Sequence, residues 1–182
     1  MHQSFVKIVI DRIKSQYVTE KIFYEDYLLI DHDQWKNWKN GEKTLSTENN
    51  QKIKNLFSDY EWMLIQKLIR QAALFPEKRN YVVSEYKRLK SLIAQKWLQT
   101  EAAKIELITQ TSHIINNKES EHANSRFEIR VSLEYGAWGM DDILIFHLPE
   151  IIQQQIESSP IDLLDWVNEN LTDSYLETNK EE

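Results

Sequence analysis

The hydrophobic period of the chain changes near residue 126, and this change limits the folds open to it. Before that point, apolar residues recur every three or four positions, which is the spacing of one face of an α-helix. Over residues 126–135, apolar and polar residues instead alternate strictly, as in a strand with one buried face. A second apolar run, Ile143 to Leu148, follows a turn at residues 136–139. The sequence therefore predicts a mainly α, α+β protein whose helices are followed by a small C-terminal β-hairpin.

Four short helices are predicted in the first third of the chain. An N-terminal helix is indicated by apolar residues at spacings of three and four. Thr19 is a typical N-cap of a second helix, and Asp31 or His32 begins a third, which Gly41 ends. A fourth helix is predicted over residues 47–57. The short connections favour a compact helical bundle.

Longer helices are predicted next. The sequence Ser-x-x-Glu at residues 58–61 is a capping box that opens a fifth helix. Its predicted inward residues are Tyr60, Met63, Leu64, Leu68 and Ala72. The following apolar spacing predicts a long helix that continues through Ile105 and Ile108. Further helices are expected over residues 150–156 and after Pro160, which suits the first position of a helix.

Composition argues against most enzymatic chemistry. The 182 residues include no Cys, which excludes disulfides, thiol nucleophiles and thiolate zinc sites. None of the 3 Gly stands in a phosphate-binding loop motif, and no two of the 5 His are spaced as a helical metal site requires. We therefore expect no enzyme, no catalytic residue, no metal site and no cofactor. No stretch reaches the roughly 18 apolar residues of a membrane span, so we expect no membrane association and a cytoplasmic location.

Charge is distributed unevenly and suggests two domains. Residues 1–58 contain 9 Lys and Arg against 8 Asp and Glu, a net charge of +1. Residues 59–182 contain 13 against 21, a net charge of −8. We predict a helix-turn-helix module over 1–58, and over 59–182 a helical region with the hairpin, which serves dimerisation or partner binding.

The third predicted helix carries a recognisable signature. Trp35 is followed three positions later by Trp38, and then by Lys39 and Gly41. This pattern resembles the end of the recognition helix in Cro/repressor-type, XRE-like helix-turn-helix proteins, and the resemblance covers about residues 5–57. It implies a sequence-specific DNA-binding transcriptional regulator of phage or bacterial type, with double-stranded DNA as partner.

The same alignment assigns the residues before the signature. Tyr24 and Leu28 fall on buried positions of the family's second helix, and Ile30 on its apolar turn residue. Two positions depart from the family pattern, since Glu25 replaces a small Ala and Leu29 replaces a Gly at the turn. Because small residues allow the two helices to cross closely, we expect either an altered crossing here or an alignment shifted by one residue.

A helix of this kind reads DNA with the side chains between its buried positions. The residues expected to reach base edges in the major groove are His32, Gln34, Lys36 and Asn37. Those expected to contact phosphates lie at or beyond the helix end and are Lys39, Asn40 and Lys43.

Two alternatives remain open from sequence alone. A Trp-x-x-Trp pair is also a common core feature, so the same fold would serve as a protein-interaction module without DNA. The strand over residues 126–135 would either pair with a second copy, giving a homodimer through the C-terminal region, or pack on the long helix over residues 81–109. Since a helix-turn-helix protein uses two half-sites, we expect the homodimer.

Overall fold

The computed structural model of the protein describes residues 2–17, 19–110, 126–135, 141–148, 161–167 and 169. The chain divides into two compact units, residues 1–90 and 91–182. The domain boundary expected between residues 58 and 59 falls inside the first unit. The first unit contains 16 Lys and Arg against 12 Asp and Glu, a net charge of +4, and the second contains 6 against 17, a net charge of −11.

The first unit is a bundle of helices. Its helices are α1 (His2–Gln16), α2 (Glu20–Ile22), α3 (His32–Asn40), α4 (Thr47–Lys54) and α5 (Asp59–Leu74). A π-helical turn, Phe23–Tyr27, continues α2, and a 3₁₀ turn, Pro76–Arg79, follows α5. Helix α6 (Val82–Gln99) begins in the first unit and ends in the second. The mainly helical class predicted from the apolar spacing is confirmed.

Side-chain caps set the starts of these helices where the sequence indicated them. The Thr19 hydroxyl accepts a hydrogen bond from the backbone N–H of Ile22. Ser58 and Glu61 form the predicted reciprocal capping box of α5. At the other end of α3, Gly41 adopts a φ of 78°, a left-handed conformation that Gly tolerates without steric cost.

The core of the first unit is rich in aromatic rings around α3. Trp35 and Trp38 are buried, as their spacing predicted, and their rings stack with centroids 4.7 Å apart. Phe23 packs edge-on against Trp35 at 5.7 Å, and Phe5 against Trp38 at 6.2 Å. Such edge-to-face and offset contacts stabilise beyond their buried area. The inward face of α5 differs from the prediction, since Met63 is exposed, and Glu61 is buried in a charge cluster described below.

The second unit contains a three-stranded antiparallel sheet in the order β1-β2-β3. Its strands are β1 (Ala103–Gln110), β2 (Arg126–Glu134) and β3 (Asp141–Leu148). The predicted pair β2–β3 is confirmed, with Ile129 opposite Phe146 and Val131 opposite Leu144. Residues 161–167 form a helix that buries Leu163 and Leu164. The helix expected over residues 150–156 lies outside the described residues.

The prediction that the long helix continues through Ile105 and Ile108 is wrong. Helix α6 ends at Gln99, and Glu101 adopts a left-handed φ of 56° that turns the chain. The chain then enters β1, where Ile105 lies opposite Val131. The strand that was not predicted is therefore β1. It forms because apolar residues at 103, 105 and 107 alternate with polar ones and extend the apolar face of β2. No helix among the described residues is long and apolar enough to span a membrane.

Candidate nucleic-acid interface

The turn between α2 and α3 contains a strained residue. Leu29 has a φ of 57°, in the left-handed region that residues other than Gly seldom adopt, and 75% of it is exposed. This is the position where the resemblance to Cro/repressor proteins places a Gly, and the observed φ gives the physical reason why Gly suits it. The backbone is left-handed here although the residue is a Leu.

At Glu25, where we expected an altered crossing of the two helices, the chain forms a π-helical turn. The π-helical turn closes with a hydrogen bond from Leu28 N to Phe23 O of 3.0 Å. It directs Phe23, Tyr24 and Leu28 inward. Glu25 is exposed, with its carboxylate 3.8 Å from the ammonium of Lys21. The π-helical turn therefore leaves Glu25 outside the buried face of this segment.

Helix α3 is held firmly against its neighbours. Besides the buried Trp35 and Trp38, the indole N–H of Trp35 donates to the Glu20 carboxylate at 3.2 Å. The Nε2 of His2 lies 2.5 Å from the carbonyl oxygen of Trp38, and the Gln3 amide donates to the carbonyl oxygen of Lys39 at 3.0 Å. Contacts from both α1 and α2 therefore fix α3 with one face turned outward.

The four residues predicted to read bases lie on or near that outer face. His32, Gln34 and Lys36 are exposed, and Asn37 is half-buried. Gln34 already has a local role, because its side-chain oxygen accepts from the Asp31 N–H at 3.1 Å in the capping box of α3. His32 places Nδ1 3.4 Å from the hydroxyl of Tyr24. Lys36 has no charged partner among the residues that the structure describes.

The three residues predicted to contact phosphates differ in whether they already have a hydrogen-bond or ion-pair partner. The ammonium of Lys39 lies 2.9 Å from the Glu20 carboxylate. The Asn40 amide donates to the Glu42 carboxylate at 3.3 Å. Lys43 is exposed and has no ion-pair partner in the described part of the chain. Lys36 and Lys43 thus carry the uncommitted positive charge of this face.

The electrostatics of this face are mixed. Residues 20–43 contain 4 Lys against 6 Asp and Glu, a net charge of −2. Asp26, Asp31 and Asp33 are exposed near the start of α3, where negative charge also favours the helix dipole. The surplus positive charge of the first unit therefore comes from residues outside this segment.

Sequence reasoning missed a buried charge cluster elsewhere in the first unit. Glu61 lies between Arg12 and Lys90, at 2.5 Å and 2.6 Å, and Arg12 also donates to the Tyr86 hydroxyl at 3.3 Å. The available signal was a charged residue on an apolar helical stripe, since Arg12 follows Val9 by three positions. The cluster joins α1, α5 and α6, and its burial suits a structural role.

Other chemistry is not evident in the described ranges, where no three His, Asp or Glu side chains are grouped to hold a metal ion. No protein-family model, curated protein or solved structure matches this chain.

Proposed function

We propose that the first unit binds double-stranded DNA through α3, and that the protein is a sequence-specific transcriptional regulator of phage or bacterial type. The observation that carries this proposal is the arrangement of α3, which two buried Trp residues anchor while its outer face stays exposed. A short turn through Leu29, whose φ is left-handed, joins it to the preceding helical segment, as in a helix-turn-helix. The net charge of +4 on the unit supports attraction to phosphate. Bacterial and phage DNA is cytoplasmic, so this function places the protein there.

The base contacts proposed for α3 differ in which existing interactions each side chain must give up. Lys36 can reach guanine acceptors without breaking any interaction, and Asn37 can pair with adenine through both amide atoms. Gln34 can do the same only by giving up its hydrogen bond to the Asp31 N–H. We therefore assign most base discrimination to Lys36 and Asn37, and a phosphate contact to Lys43.

We propose further that the protein acts as a homodimer through the second unit. A two-fold dimer presents two copies of α3 to two half-sites. Among the described strands, β1 and β3 each have one unpaired edge that a second copy can extend. Sedimentation at micromolar concentration tests this, and a single species at the monomer mass of 21.8 kDa would contradict it.

Selection from random duplex DNA at low salt tests the main proposal. Asn37→Ala should cost about 1–3 kcal/mol and relax the preference at one base pair. Lys43→Ala should weaken all sequences alike and reduce the slope of log affinity against log salt by about 0.9. Lys67→Ala, which removes an exposed charge from α5, is the matched control and should leave the base preference unchanged. An absence of enriched sequence with folded protein would count against DNA binding.

A second candidate function is protein binding without DNA. The exposed carboxylates of Asp26, Asp31 and Asp33 near the start of α3 favour it, because they would oppose nearby phosphates. If the protein binds another protein and not DNA, the parent and the variants Asp31→Asn and Asp33→Asn should all show no measurable DNA affinity. If the protein binds DNA, the same substitutions should instead strengthen that binding.

A further inference from the structure

The Glu20 side chain, in the first turn of α2, binds two groups of α3. Its Oε2 accepts a hydrogen bond from the indole N–H of Trp35 at 3.2 Å and one from the ammonium of Lys39 at 2.9 Å. The same ammonium lies 5.8 Å from the centroid of the Trp35 ring. One carboxylate therefore anchors α3 and also holds the cation that the sequence assigned to a phosphate contact.

The surroundings of Glu20 keep it ionised but accessible. Partial burial tends to raise the pKa of Glu20, and hydrogen bonds from Lys39 and Trp35 outweigh that effect, so the pKa lies below its ordinary value. Lys14 adds a further attractive charge. The Glu20 and Lys39 side chains are 28% and 33% exposed. An ion pair this accessible is weak enough to exchange partners.

We infer that Glu20 is an internal competitor for Lys39, occupying the cation that a DNA phosphate would otherwise bind. This inference rests on the proposed function and assigns its regulation to a named contact. Carboxylate and phosphate oxygens compete for the same ammonium donors. Because non-specific binding depends on such charges, the competition lowers it, and base contacts then decide which complexes are stable.

The test compares Glu20→Gln with Glu25→Gln. The first substitution removes the charge beside Lys39 and keeps an oxygen to accept from Trp35, while the second removes an exposed charge from the same helical segment. E20Q should bind non-specific duplex several-fold more tightly at low salt. Its slope of log affinity against log salt should steepen by about 0.9. E25Q should show no such change in slope.

Adding Lys39→Gln to E20Q should return both the affinity and the slope to the parent values. In the E20Q background, Lys39→Gln and Lys43→Gln should each reduce the slope by about 0.9, because both ammonium groups are then free to bind phosphate. An E20Q slope equal to the parent slope, or no effect of Lys39→Gln on the slope in the E20Q background, would overturn the inference and leave DNA binding intact.

A titration with inorganic phosphate, without DNA, separates the two proposals. The indole N–H resonance of Trp35 reports on the oxygen beside Lys39. In E20Q this resonance should shift at several-fold lower phosphate concentration than in the parent. If the resonance shifts in this way while neither E20Q nor the parent binds duplex DNA, Glu20 does compete for Lys39 and the proposed function is wrong. Identical shifts in both proteins would contradict the competition.

Discussion

The carboxylate of Glu61 lies 2.6 Å from the ammonium of Lys90, and the two side chains are 0% and 7% exposed. The guanidinium of Arg12 is 2.5 Å from the other carboxylate oxygen, so two buried cations share one anion. Burial tends to raise the pKa of Glu61, but the charges of Lys90 and Arg12 outweigh it and lower the pKa to about 2. Glu61 therefore stays ionised and ties α1, α5 and α6 together.

Replacing Glu61 should destabilise the protein strongly. Glu61→Gln leaves Arg12 and Lys90 buried beside each other without a counter-charge, which typically costs about 3–5 kcal/mol. Urea unfolding followed by far-ultraviolet circular dichroism measures the change in the free energy of unfolding. Glu48→Gln is the control, because it breaks a surface pair in which Glu48 is exposed and Lys52 half-buried, and it should cost less than about 0.5 kcal/mol.

The cost of Glu61→Gln should depend on pH. The folded pKa of about 2 lies below the ordinary Glu pKa of 4.5, so the stabilisation is present above pH 4.5 and is lost as pH falls toward 2. The difference between the parent and the variant should therefore shrink over that range. A difference that stays constant between pH 6 and pH 2.5 would show that the charge of Glu61 does not matter.

The buried Lys90 should make the stability of the protein depend on pH in the alkaline range. Burial lowers its pKa to about 8 from 10.5, although Glu61 opposes the shift. Between pH 8 and 10 the unfolded state binds more protons at this residue, so stability should rise with pH. Above pH 10 the buried Tyr86, whose pKa burial raises, should reverse the trend because the unfolded chain then loses its tyrosine proton first.

Lys90→Met tests whether Lys90 causes the rise in stability between pH 8 and 10. The variant keeps the matched pair Arg12–Glu61 and removes a cation that burial disfavours, so it should be at least as stable as the parent at pH 7. Its stability should also lose the rise between pH 8 and 10. Lys87→Met is the control, since Lys87 pairs with Asp11 at a partly exposed position. A parent profile that is flat over pH 8 to 10 would contradict the prediction.

The first unit was more predictable from sequence than the second because its boundaries are set locally. Ser58 and Gly41 cap helices through backbone groups within a few residues, so the residue type alone predicts a helix start or end. The end of α6 was missed because Ile105 and Ile108 fit a helical spacing equally well. Their partners in β2 lie more than 15 residues away, and local periodicity does not report such pairing.

The same distinction applies to the candidate site. The exposure of His32 and Lys36 followed from the spacing of Trp35 and Trp38. The partners of the charged residues did not, because the Glu20–Lys39 pair depends on how α2 crosses α3. For the same reason Glu61 and Arg12, 49 positions apart, were not expected to meet.

Trp38 should be structural and not a reader of DNA. It is buried, stacks on Trp35 at 4.7 Å and meets Phe5 edge-on at 6.2 Å. Trp38→Ala should therefore cost roughly 3–5 kcal/mol and abolish cooperative unfolding of the first unit. Trp62→Ala removes a ring that is only half-buried and should cost less. A Trp38→Ala variant that melts like the parent would show that the ring contributes little to the core.

Relief of the strain at Leu29 should stabilise the protein. A left-handed φ costs a residue with a side chain about 1–2 kcal/mol, and Gly avoids this cost but loses more chain entropy on folding. Leu29→Gly should therefore raise the free energy of unfolding by about 0.5–1 kcal/mol. Leu74→Gly is the matched control, because Leu74 is 76% exposed but lies in the last turn of α5. That control should lose about 0.5–1 kcal/mol, so equal signs for the two variants would show that Leu29 is not strained.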